Sequence, residues 1–124
     1  MTEVVQYSDE EPRGAYQLPA PTGYRLLVAL PEVEEQTDSG IYITDERREL
    51  ETVASIVGYV MKVGPDAYRD EKKFPTGPWC KEGDWIVMRA YSGTRLRIHG
   101  KEFRIINDDS VESVVEDPRG VVRA

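Results

Sequence analysis

Few residues in this 124-residue sequence could carry covalent or metal chemistry, and they do not combine. It contains one histidine, His99, and one cysteine, Cys80. Two such residues cannot build a zinc site made mainly from those ligands, and one cysteine cannot form an internal disulfide. Lys81 follows Cys80 and would favour a thiolate, but a small half-buried residue in a turn explains the position as well. His99 ends an apolar stretch beside Gly100 and reads as a turn or surface residue. The carboxylate pairs Glu34/Glu35 and Asp108/Asp109 lack the oxygen-rich loop spacing of a calcium site and read as solvated charge. Trp79 and Trp85 flank the turn at 80–84 and read as packing over it. Neither Gly-rich phosphate pattern occurs. The sequence therefore offers no catalytic set, no metal site and no cofactor site, and predicts a protein that is not an enzyme.

One constellation does point to binding. Residues 31–51 hold eight acids against Arg47 and Arg48, which leaves the stretch at −6 in a chain whose net charge is −7. Inside it lies a small apolar island, Ser39-Gly40-Ile41-Tyr42-Ile43-Thr44. A short apolar motif within a charged loop has the design of a docking peptide. Ile41 and Ile43 would fill grooves on a partner, and the charges would keep the free loop soluble. Ordering such a loop costs entropy, so binding per loop is weak and gains from repetition. A covered β-strand, paired with residues 53–57, is the plainer reading of the same island. Residues 45–50 could form one helical turn with Asp45 as its cap.

The elements that must present this motif are strands. Residues 24–30, 52–63, 85–91, 94–99, 102–106 and 110–115 are short, β-branched or apolar runs, separated by Gly and Pro turns. Helical periodicity is nearly absent, which argues an all-β barrel or sandwich. Gly58 reads as a bulge or bend in the second run, and Gly100-Lys101 as a two-residue hairpin link. Tyr68, Arg69, Asp70, Glu71, Lys72, Lys73 and Phe74 read as an exposed hairpin or loop. Residues 1–20, with Pro12, Pro19 and an acidic triplet, read as an irregular arm, residues 21–116 as one β domain, and 117–124 as a tail. At 14.1 kDa the chain has room for one domain. Its acidity disfavours nucleic acid, whose phosphates are held by Lys and Arg. No apolar run approaches the ~20 residues that cross a bilayer, and the first residues lack a signal-peptide core. The expected setting is the cytoplasm, without membrane contact.

Four segments, in order, resemble the GroES co-chaperonins, the chaperonin-10 family. Tyr24-Arg25-Leu26-Leu27-Val28 after Pro21 is similar to the family's first strand, with Tyr24 where an Asp is usual. Glu34-Glu35-Gln36-Thr37-Asp38-Ser39-Gly40-Ile41-Tyr42-Ile43 resembles its mobile loop, with Tyr42 in place of a smaller Val. Gly58 to Gly64 is similar to its Gly-x-Val-x-Ala-Val-Gly pattern. Gly83-Asp84-Trp85-Ile86-Val87 followed by Tyr91-Ser92-Gly93-Thr94 is similar to its Gly-Asp-x-Val and Tyr-x-Gly-Thr. Gly77-Pro78-Trp79-Cys80 resembles phage-encoded relatives.

The resemblance implies a small, partly open β-barrel with a long acidic loop and a projecting roof hairpin at residues 68–74. It implies a heptameric homo-oligomer that caps a GroEL-type chaperonin through Gly40, Ile41, Tyr42 and Ile43, with ATP belonging to the partner. It also implies that subunits join by strands, here Arg25, Leu26, Leu27 and Val28 against Val111, Val114 and Val115 of the next copy. A second expectation from the same barrel is a virion protein, a capsid cement or decoration module whose arm and tail clamp neighbouring capsid subunits.

Overall fold

The computed structural model describes residues 18–31 and 55–124. The arm before residue 18, the island Gly40 to Ile43, the helical turn at 45–50 and the start of the second run lie outside the described residues.

The apolar runs become six strands: β1 (Arg25–Ala29), β2 (Val57–Val63), β3 (Trp85–Met88), β4 (Thr94–Ile98), β5 (Lys101–Asn107) and β6 (Val111–Val115). They form one antiparallel sheet in the order β4-β5-β1-β2-β3-β6. No α-helix occurs among the described residues; a single 3-10 turn at Asp108–Ser110 links β5 to β6. The all-β expectation holds. One face carries the core: Leu26 and Val28 of β1, Val60 of β2, Ile86 and Met88 of β3, Ile106 of β5 and Val111 of β6. Leu26, Val28, Val60, Ile86 and Met88 are fully buried. Each removes a whole aliphatic side chain from water, about 1.5–3 kcal/mol apiece before the entropy of ordering.

Three local expectations are corrected. Gly58 is not the bulge. Val28 pairs with Val60 and Leu27 with Lys62, so the irregularity passes over Met61. Gly58 serves close packing instead, because a β-carbon there would stand 2.6 Å from Val28 Cγ1. The β4–β5 hairpin turns one residue earlier than expected. Ile98 pairs with Lys101, and His99 and Gly100 form the turn, both with positive φ (49° and 81°). That is the backbone of a tight two-residue hairpin, whose twist suits the strands it joins.

Residues 68–74 do not project as a hairpin. The stretch contains turns and no strand, and its two ends belong to the core: Tyr68 is 5 % exposed and Phe74 3 %. Only the middle, residues 69–73, faces solvent. Phe74 meets Tyr68 edge-on at 4.8 Å, and Trp79 meets Phe74 the same way at 4.8 Å. An edge of one ring on the face of the next is the favoured arrangement of aromatic quadrupoles. Burying both ends folds the segment back onto the sheet.

Candidate docking and assembly surfaces

The segment that carries the candidate docking motif lies in sequence between β1, which ends at Ala29, and β2, which begins at Val57. Both stems are tied down. Leu30 N–H donates to the Glu102 carbonyl on β5 at 3.0 Å, and Met88 N–H on β3 donates to the Ile56 carbonyl at 2.7 Å. Arg104 Nη1 donates to the Ser55 carbonyl at 3.1 Å, and Ser55 Oγ donates to the Val57 carbonyl at 3.3 Å. So β5 holds the outgoing stem through its backbone and the returning one through a side chain.

Arg104 is absent from the expectations above, although it is the largest fully buried side chain described. Its Cα partner on β1 is Val28, on the core face, and its partner on β4 is Arg95. Burial first, and the charge of Arg95 second, push the Arg104 guanidinium below its usual pKa. An arginine starts so high that it keeps its charge. Arg97 on β4 binds Glu102 across the hairpin, Nε to Oε1 at 2.8 Å.

The expected subunit joint is corrected in one half. Arg25 to Ala29 pair with β5 on one edge, and Leu26 to Ala29 pair with β2 on the other. Leu26, Leu27 and Val28 are fully buried inside their own chain. A strand has two hydrogen-bonding edges, and β1 has spent both, so it cannot add to a neighbour's sheet. The other half stays available. Among the described residues β6 pairs only with β3 and stands at an edge of the sheet, with Val111 buried in the core and Val114 47 % exposed.

A polar hub lies under the exposed turn. Tyr68 takes a positive φ of 62°, unusual for a bulky residue. Its N–H donates to Asp108 Oδ2 at 3.0 Å and its hydroxyl to the Asp108 carbonyl at 2.8 Å. The Cys80 thiol lies 3.4 Å from the same hydroxyl. Burial, reinforced by Cys80, pushes the Tyr68 phenol far above its ordinary range, so it remains a donor. Burial likewise pushes the Cys80 thiol up, the direction away from thiolate. We expect Tyr68→Phe to lower stability by about 1–3 kcal/mol, because the buried Asp108 carbonyl loses its partner. A urea midpoint equal to that of the wild type would show that the hydroxyl carries nothing.

Asp109 points outward and receives the Lys73 ammonium. That hydrogen bond holds its carboxyl below the usual carboxylate range. A lowered folded-state pKa stabilises at neutral pH, and the contribution fades as pH falls through the lowered value. Asp109→Asn should therefore melt slightly below wild type at pH 7, and the gap should close on acidification below about pH 4. A gap that widens in acid would contradict this sign. The pair is exposed, so the effect is small.

The comparisons agree with this frame. The family described as the Chaperonin 10 Kd subunit matches residues 20–115. The co-chaperonin GroES of Caldicellulosiruptor saccharolyticus is 35% identical over 97 residues, covering 78% of this chain and 96% of its own. The co-chaperonin GroES of Clostridium botulinum is 33% identical over 96 residues, covering 77% and 96%. That of Acetivibrio thermocellus is 33% identical over the same number, with the same coverage. The chain belongs to the chaperonin 10 kDa subunit family.

Proposed function

We propose that this chain is a co-chaperonin that assists folding by a GroEL-type chaperonin, catalysing no reaction of its own. The observation that carries this reading is the collinear match of residues 20–115, which spans nearly the whole length of relatives named co-chaperonin GroES. Gly40, Ile41, Tyr42 and Ile43 are the docking motif, presented from between β1 and β2. Their partner is a groove on the chaperonin, and the nucleotide belongs to that partner. Seven copies form the ring, joined at the open edge of β6 around Val114 and Val115. The exposed turn at 69–73 takes the place near the ring opening that the resemblance gives to a roof element. The working place is the cytoplasm, where such a partner is found. The capsid reading has no supporting observation here, since the relatives reported are co-chaperonins.

Sedimentation of the purified protein tests the proposal, alone and mixed with a GroEL-type chaperonin. A ring that travels with the chaperonin only when ATP is present is the expected result. A monomer that never co-sediments overturns it. A chain that binds capsids and ignores the chaperonin favours the virion role.

A further inference from the structure

A buried arginine in a largely apolar sheet interior is an expensive choice. An aliphatic side chain of similar volume fills such a site without the cost of desolvating a charge, and replacing buried ions in this way is often neutral or stabilising. What arginine adds is a rigid, charged donor. Here that donor reaches the Ser55 carbonyl, the first described residue of the returning stem. Its neighbour in β5, Phe103, is flanked on the other side by Glu102, whose carbonyl holds the outgoing stem through Leu30. Two adjacent points of β5 thus fix where the segment leaves and re-enters. Arg95 stands opposite Arg104 on β4, and Arg97 is paired with Glu102.

We propose that Arg104 is a positioning residue for docking: it fixes the returning stem at Ser55 on β5, while the β5 backbone at Glu102 holds Leu30, so that the motif around Ile41 and Ile43 starts from a set point on the barrel. This deepens the co-chaperonin reading and rests on it. A segment fixed at both stems has fewer arrangements to lose on binding, and that advantage recurs at every subunit. Arg104 touches no partner itself; it acts through Ser55.

The signature is a split between stability and docking. Arg104→Met keeps length and apolar bulk and removes the donor and the charge. We expect the full-length ring to assemble and to melt within about 5 °C of wild type, the scale of a minor change for a domain of this size. Co-sedimentation with chaperonin and ATP should weaken by about tenfold or more, because a small loss per subunit multiplies round a ring. Hydrogen exchange should quicken near Ser55 and stay unchanged in β1. Arg104→Lys keeps the charge on a donor of different shape and should recover part of the loss. Capping by Arg104→Met at wild-type affinity overturns the inference. So does a collapse of melting temperature in both variants, which would make Arg104 a residue of stability alone. A wild-type ring that does not cap removes the function reading and this one with it, so the two failures are separately visible.

Discussion

Replacing Ile41 and Ile43 together by aspartate is expected to abolish chaperonin docking and to leave the barrel folded. Each isoleucine buried in a partner groove contributes ~1.5–3 kcal/mol. Each aspartate adds the cost of pressing a charge into an apolar site. Two losses per subunit, repeated over a ring, exceed what any multivalent contact of this kind can absorb. The core of the described residues is built from β1, β2, β3, β5, β6 and the segment around Tyr68, and we expect it to stand without the two isoleucines. The measurement is a pull-down on immobilised chaperonin with ATP, alongside a thermal melt of the free variant. Capture equal to wild type would remove the docking role of the segment. Loss of the melt would show instead that the island is a covered strand.

Gly93→Ala unfolds or severely destabilises the domain. Gly93 has a φ of +75°, and a β-carbon there would fall on the Ile105 carbonyl oxygen and 2.8 Å from Ile106 Cγ2. The obstruction is β5 backbone, which cannot swing aside as a long side chain would. A strained φ costs about 1–3 kcal/mol, and forced overpacking about as much again. Together they consume a large part of the 5–15 kcal/mol that holds a domain folded. A urea midpoint within experimental scatter of wild type would show that the turn before β4 has room to relax. Capping should fall in parallel, since the motif needs the frame that presents it.

The Tyr-x-Gly-Thr pattern that carries Gly93 was readable through its family resemblance; the demand for glycine comes from its positive φ together with the distant β5 backbone at Ile105. The strands were readable because β-branched runs cut by Gly and Pro leave few other choices. What the sequence hid were partners. Alternation along β1 shows which residues are apolar. It does not show that β2 and β5 take both edges, and so the expected joint with a neighbour failed at β1. Tyr68 and Phe74 were misread because the five residues between them are polar or charged. Composition there describes the exposed middle, while burial is decided by the two aromatic ends. Arg104 sits between Phe103 and Ile105 in a run whose charge suggests an outward side chain, yet its pairing with Val28 turns it to the core face. The candidate docking motif was legible as apolar residues out of place among acids and through its resemblance to the family's mobile loop.

The order of the sheet has a consequence for how the chain comes into being. β1 lies at the centre, but its two neighbours are made at different times: Leu26 faces Val63 on one side and Ile106 on the other. During synthesis from the N-terminus, the β1–β2 ladder can close early. The other edge of β1 must wait for nearly the whole chain. Until β5 arrives, a row of unpaired amides and carbonyls beside Leu26, Leu27 and Val28 lies open to any passing strand. Pairings so distant in sequence also close slowly. A protein whose task is to help others fold thus has its own most exposed moment late in translation, and a truncation that stops before β5 should yield an aggregating fragment rather than a smaller domain.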